Sequence, residues 1–537
     1  MKDPAFPERT YLLLIESVRD ISLKRVNRVG FKPAVLLGLL LAAFVLLQCF
    51  LPLGTAVKIG ADEDFELSKA TLCLKGYRLF TQIWCDQPPL YVSLLTAILK
   101  HISPGILGPR LLTSAFTLLL LASVFILVHR TSGLLAAGLA TGMLIASPGF
   151  LELSSSAMQE IPALAPAVAA LCLLLVGPHR RWLATEILAG ALFAVALQMK
   201  LIGIVYLPLA VLLLWLRSSR GPQPVQCVGA QLSQSRSLDS ESKAEAPLSR
   251  WKRSATGMAA FAAALAVGFV ALNWFTGNPL VVQLQQAWGA HFASARSLEH
   301  GSPEEHAFDW TVLLKNWDMT VPALLGSVLL LRAARPMNMG LLPLLWLALT
   351  LVVFGTHKPW WAYYYVHNAL PLCWCAGVGI AQAFQLLRAK RNWVLAALLA
   401  LYGLCATGWM GARLCLEEIG MRQAPKLCTC LVLKEIERFK PFTTFLFTDR
   451  AIYCFHSGIP VPPRLAVLSL KRFWAGDLTT AQLVAELESV KPGLMLLAND
   501  TRELAYQELL NREYQLVYQD GANRLYAHRS IARKAKY

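Results

Sequence analysis

An acidic run, Gly60-Ala-Asp62-Glu63-Asp64-Phe65-Glu66, follows directly on the first long apolar stretch of the chain. Carboxylates crowded beside a low-dielectric slab raise one another's pKa, which suits a general base, although the same run also reads as a solvated acidic loop. The segment continues through Gly76-Tyr77-Arg78-Leu79-Phe80 and closes on Trp84-Cys85-Asp86-Gln87-Pro88-Pro89-Leu90-Tyr91. Glu160 opens a later apolar stretch in Met158-Gln-Glu-Ile-Pro162. An ionisable group near membrane depth needs a partner, while a plain helix start also favours a carboxylate. Lys200 interrupts Ala-Leu-Gln-Met-Lys-Leu-Ile-Gly between two apolar runs, as a snorkelling lysine or as a fixed cation for a lipid phosphate. His291, and the stretch from His357 through Tyr364 to Tyr365, add cations and aromatic rings of the kind that form interfacial belts and stack on sugars.

The elements that must position these groups are membrane helices. The chain has 537 residues, of which 56% are hydrophobic and 15% charged, with a mean hydropathy of +0.49. A soluble chain of this size needs far more polar surface. The net charge of +17 is spread as short Lys/Arg clusters between apolar runs, the pattern of inside-facing linkers rather than of a nucleic-acid binder. Residues 1–33 read as a cytoplasmic segment and 34–411 as a transmembrane domain of about eleven helices. That domain includes an outside loop at 55–108, a disordered cytoplasmic linker at 217–253 and a second outside loop at 277–317. Within the first loop, residues 88–103 form an apolar helix too short to span, expected along the outer interface. With that parity every basic linker faces inward.

Residues 412–537 change character to a small extracytoplasmic α/β domain. Segments 443–448 and 494–498 read as buried strands, 479–490 and 502–511 as amphipathic helices, and 514–518 with 524–527 as a hairpin. The predicted fold class is thus an α-helical polytopic protein of the inner (plasma) membrane with this domain appended. Twelve cysteines show no paired metal-ligand spacing; Cys73 with Cys85, or some of Cys415, Cys428, Cys430 and Cys454, are candidates for bridges.

The ordered set of Asp62-Glu63, the loop ending Asp86-Gln-Pro-Pro-Leu-Tyr91, Arg110, Glu160, Lys200 in Met-Lys-Leu-Ile-Gly, His291 and His357-Lys-Pro-Trp-Trp-Ala-Tyr-Tyr resembles the GT-C glycosyltransferases, over roughly residues 34–410. Its pattern is most similar to protein O-mannosyltransferases and the bacterial lipid A aminoarabinose transferase. The latter has Lys where this chain has Gln87, a departure that Arg78 or Lys75 would have to make good. The resemblance implies transfer of a sugar from a polyprenyl-phosphate donor to an acceptor hydroxyl on a lipid, protein or polysaccharide. Asp62 would be the general base, with Glu63 and Glu160 orienting it or binding sugar. Lys200, His291 and Arg78 would hold the phosphate, with Asp86, His357 and Tyr364 completing the donor site. A nucleotide-binding fold is not needed, nor any nucleic-acid partner, because the donor arrives among the membrane lipids. Carboxylates such as Asp62 and Glu160 are also the ligand type of Mg²⁺ or Mn²⁺, so a divalent cofactor stays open. Two other classes compete: a multi-span transporter or flippase, which predicts charges deep in the spans and repeated halves, and a non-catalytic envelope assembly protein.

Overall fold

The computed structural model describes residues 32–177, 182–219, 247–299, 307–333, 339–390, 393–498, 503–521 and 523–534. Most of the expected cytoplasmic segment 1–33 and of the linker 217–253 therefore lies outside the described residues. The apolar part runs as α1 (Pro33–Cys49), α2 (Glu63–Leu74), α3 (Leu90–His101), α4 (Leu107–Ser132), α5 (Leu134–Ile145), α6 (Phe150–Ser155), α7 (Glu160–Val176) and α8 (Trp182–Met199). It continues through α9 (Leu207–Ser219), α10 (Pro247–Phe275), α11 (Leu280–Glu299), α12 (Thr311–Lys315), α13 (Trp317–Ala333), α14 (Leu342–Thr356), α15 (Tyr365–Lys390) and α16 (Trp393–Arg422).

Every segment predicted to cross the membrane is helical, and five helices are long and apolar enough to cross by themselves. The chain is a multi-pass membrane protein. Helices α10 and α16 turn most of their apolar surface outward, with 11% and 6% of their spanning windows buried. The interior of the bundle is instead filled by residues such as Leu120, Leu144, Leu164, Val168, Phe193 and Trp374. Segment 88–103 forms the short helix α3 as expected. Four helices of this part were not expected: α2, inside the acidic loop, α6, ahead of α7, and α11 and α12, inside the loop at 277–317.

Small residues let spans meet backbone to backbone. A Cβ added at Gly379 of α15 would lie 2.2 Å from the Pro322 carbonyl oxygen of α13, and one at Gly326 would lie 1.9 Å from that of Cys375. The crossing of α13 and α15 tolerates no side chain at either position.

The remainder forms α17 (Leu431–Phe439), β1 (Leu446–Thr448), α18 (Ile452–Ser457), α19 (Leu470–Trp474), α20 (Thr480–Val490), β2 (Leu494–Ala498), α21 (Glu503–Glu513), β3 (Tyr514–Asp520), β4 (Asn523–His528) and α22 (Arg529–Ala532). The expected strands, helices and hairpin are all present, and Thr479 closes a capping box with Gln482. Strand order is β1-β2-β4-β3, with β1 parallel to β2 and the other pairs antiparallel. Alternation along β2 divides two cores: Met495 and Leu497 pack with Leu483, Leu487 and Tyr506 beneath α20 and α21, whereas Leu494 and Leu496 face the opposite way. That second face belongs to a core shared with Leu67, Ala70, Tyr91 and Leu95 of α2 and α3.

Two sequence expectations are corrected here. Helix α16 runs on to Arg422, past the boundary expected at 411, and the α/β unit does not close its core without the loop at 55–108. The eleven described cysteines are all free, so neither candidate bridge forms.

Replacing Gly379 by Ala is expected to cost about 1–3 kcal/mol through overpacking. The melting midpoint of the purified protein in detergent should fall, while Gly403→Ala on α16, where nothing lies within 4 Å of the added Cβ, leaves it in place.

Candidate active site

The acidic run becomes the first turn of α2, and its carboxylates have separate fates. Glu63 is fully buried. Arg110, at the start of α4, clamps it with Nε donating to Oε1 at 2.8 Å and Nη2 to Oε2 at 2.8 Å. The amides of Ile59 and Ala157 donate to the same carboxylate at 2.8 and 2.9 Å. Burial alone pushes this carboxyl up, but Arg110 and the two amides outweigh it and hold Glu63 below the usual range. The remaining guanidinium nitrogen, Nη1, donates to the carbonyls of Leu53 and Ala56 at 2.7 and 3.1 Å. This cluster ties together the end of α1, the start of α2, the start of α4 and the approach to α7.

Glu66, one turn along, accepts from Lys69 at 2.6 Å and from Gln159 at 2.8 Å. Burial raises its pKa, only partly offset by Lys69, and the nearby carboxylates of Asp86 and Asp62 raise it further. Asp64 is likewise raised by burial, against Lys58 at 2.8 Å. Gly60 closes the arrangement: a Cβ there would lie 2.4 Å from Ser156 Oγ and 2.6 Å from Met158 Sδ. Only glycine lets the loop come this close to the segment leading into α7.

These contacts leave Asp62 as a half-buried member of the run. Its side chain does not cap α2. Oδ2 instead accepts a hydrogen bond of 2.9 Å from the Tyr363 hydroxyl, and Oδ1 accepts none among the described residues. Tyr363 also sits under Lys200, whose Nζ is 5.4 Å from its ring centroid and 5.5 Å from that of Tyr364. Lys200 Nζ in turn pairs with Glu160 Oε1, both groups being buried. Asp62, Tyr363, Tyr364, Lys200 and Glu160 therefore form one chain of contacts, assembled from the first loop, α7, the α8–α9 turn and the segment before α15. The turn at Lys200 is extended backbone leading into a 3-10 segment, Leu201–Tyr206, which breaks the helical ladder at that point.

Other expected site residues fall differently. Arg78 and Lys75 are exposed, and neither side chain pairs with another described group. Asp86 is close to the cluster, with Lys471 Nζ 3.9 Å from its Oδ2. The His357 ring lies beside Tyr364, centroids 6.0 Å apart and planes tilted by 54°. Burial, and then the charge of Lys471, push His357 down to about 4, so it is a neutral imidazole at neutral pH and not the expected cation. His291 lies on α11, its side chain outside what the structure describes. Among the described residues no three His, Cys, Asp or Glu groups come together to hold a metal ion. Asp62 faces a hydroxyl and Glu160 a lysine.

Sequence reasoning missed Tyr363 and Lys471. Tyr363 was visible only as one ring in an aromatic stretch. Lys471 comes from the α/β unit, and no local pattern marks it.

No family model matches the sequence, and no curated protein matches it. The fold does have relatives among solved structures. ArnT from Cupriavidus metallidurans bound to undecaprenyl phosphate is similar over 91% of this chain and 97% of its own, with 14% identity and a TM-score of 0.58. The oligosaccharyltransferase AglB from Archaeoglobus fulgidus, in complex with an inhibitory peptide and a dolichol-phosphate, is similar over 92% of this chain and 74% of its own, with 13% identity and a TM-score of 0.54. The molecule has the GT-C fold. Within that fold its likeness to ArnT, a lipid A aminoarabinose transferase, extends through the α/β unit to nearly the full length of both chains.

Arg110→Ala would leave the Glu63 carboxylate buried and unpaired, a loss of about 3–5 kcal/mol. Thermal unfolding in detergent should report it, and Arg110→Lys should recover only part, because an ammonium cannot reproduce the two-pronged clamp.

Proposed function

We propose that this chain is a membrane glycosyltransferase that moves a sugar from a polyprenyl-phosphate donor to an acceptor hydroxyl. The observation that carries the reading is the chain Asp62–Tyr363–Lys200–Glu160, which sets a base and a phosphate-binding cation against the same tyrosine. Two proteins of the same fold were solved with undecaprenyl phosphate and with a dolichol-phosphate, which supports a lipid-phosphate donor here.

In this reading Asp62 Oδ1, the carboxylate oxygen without a hydrogen bond, takes the proton of the acceptor hydroxyl as its oxygen attacks the anomeric carbon. The Tyr363 hydroxyl fixes the rotamer of the base. The bond from the anomeric carbon to the phosphate oxygen breaks, and the electron pair leaves with the polyprenyl phosphate. Lys200 meets that growing charge. An ammonium has three N–H donors, and Glu160 takes one, which orients the other two without neutralising the site's preference for an anion. Glu63 has no lone pair to spare and acts by positioning Asp62. Tyr364 and the other rings of the His357–Tyr365 stretch would pack against the sugar.

The active face is assigned to the outer side of the inner membrane, because the basic linkers then face the cytoplasm. On the same reasoning the helices through α16 carry the catalytic body, and the α/β unit that follows is extracytoplasmic. The acceptor is a lipid, a protein or a polysaccharide of the envelope.

Asp62→Asn, inserted and folded as wild type, should lower transfer by about 10²- to 10⁴-fold, the usual worth of a positioned base. The measurement is release of polyprenyl phosphate from a polyprenyl-phosphate sugar by the purified enzyme; near-normal turnover would remove Asp62 as the base. Lys200→Ala should raise the KM for donor more than that for acceptor, and the reverse ratio would count against its assignment.

A further inference from the structure

The α/β unit reaches into this site. Helix α19 carries Lys471, Arg472 and Trp474, and each touches a part of the site or its surrounding loops. The Trp474 ring stacks parallel to Trp361, centroids 6.3 Å apart and planes 10° apart. The Arg472 guanidinium lies 5.6 Å over the Trp84 ring, and Trp84 Nε1 donates to Asp477 at 3.2 Å. Val57 and Leu427 of the two segments donate to the carbonyls of Pro425 and Thr55 at 2.7 and 2.8 Å, which fixes the unit on the first loop. Helix α11 packs against α19 from the other side.

Lys471 is the member of this set that its local contacts do not explain. It is 8% exposed. Its nearest counter-charge, Asp86 Oδ2, is 3.9 Å away, beyond the 2.7–2.9 Å of a charge-assisted hydrogen bond. No acceptor among the described residues takes a hydrogen bond from its ammonium. Of its neighbours, Tyr364, Asp86 and Asp62 favour the ammonium and Lys200 opposes it. Lys471 and Lys200 thus feel one another's charge, and an anion between them relieves that repulsion.

We propose that Lys471 is the second cation of the donor site, and that it and Lys200 together bind the phosphate of the lipid-linked donor. The α/β unit is then part of the donor site rather than an appendage. This inference rests on the glycosyltransferase reading, since it concerns the phosphate that reading requires. It also supplies a buried cation for the donor phosphate where Arg78 and Lys75 are exposed. Asp86, just out of hydrogen-bonding range, keeps the Lys471 side chain aimed inward while leaving its donors available.

The test uses the full-length protein in detergent, with undecaprenyl phosphate as the ligand and undecaprenol as its uncharged counterpart. Lys471→Met should weaken undecaprenyl phosphate binding by about tenfold or more, the worth of a lost charge-assisted hydrogen bond, and leave undecaprenol binding unchanged. Lys471→Arg should restore most of the phosphate affinity. Wild-type affinity for undecaprenyl phosphate in Lys471→Met would overturn the proposal, and so would an equal loss for both ligands, which marks a structural role. Lys200→Met is measured in parallel. If it loses phosphate binding while Lys471→Met does not, only this inference fails; if the wild-type protein shows no preference for the phosphate over the alcohol, the donor reading itself fails.

Discussion

Burying the Glu63–Arg110 pair is the constraint on which the site's construction depends. A carboxylate and a guanidinium removed from water are costly unless every donor and acceptor is satisfied, and here they are: Glu63 takes two guanidinium bonds and two amides, and Arg110 spends its third nitrogen on two carbonyls. Those partners come from four separate places along the chain, so the pair can be satisfied in only one arrangement of α1, α2, α4 and the approach to α7. Asp62 precedes Glu63 by one residue. Its position relative to Glu160 and Lys200 is therefore inherited from an interaction in which it takes no part. Neighbouring carboxylates of the same run have different roles because one is fully partnered and the other keeps an oxygen open.

Electrostatics on the lysine side follow a related logic. Lys200 has one carboxylate and two aromatic rings, which stabilise its charge but do not exhaust its donors. Lys471 has less, a carboxylate just out of reach. His357, pushed down to about 4 by burial and by Lys471, is already deprotonated at neutral pH and stays neutral. The cationic character of the site is thus concentrated on two lysines from opposite parts of the chain.

How much of this could be read from the sequence depends on the range of the interactions involved. Spans and the strands and helices of the α/β unit follow from periodicity within a dozen residues, and they appear where expected. The ordered acidic and basic motifs were also legible, and Asp62, Glu160 and Lys200 do come together. Helix α2 was not legible, because its apolar positions Leu67, Ala70 and Leu72 are interleaved with four charged residues that make sense only once Arg110, Lys58 and Gln159 are in place. Arg78, a cation close to the acidic run in sequence, is exposed and its side chain pairs with no described group. Lys471 lies some 270 residues from Lys200 in an otherwise ordinary amphipathic stretch, and only tertiary contact reveals it.

The core shared between α2–α3 and the sheet has a consequence for biogenesis. The apolar sides of Leu67, Tyr91 and Leu95 emerge from the ribosome hundreds of residues before Leu494, Leu496 and Leu525, which cover them. Such long-range closure is slow and comes late. The helices can enter the bilayer as they are made, but α2 and α3 cannot be covered until translation has passed the last strands, so a ribosome that stalls before them leaves a protein that is inserted with that apolar face open.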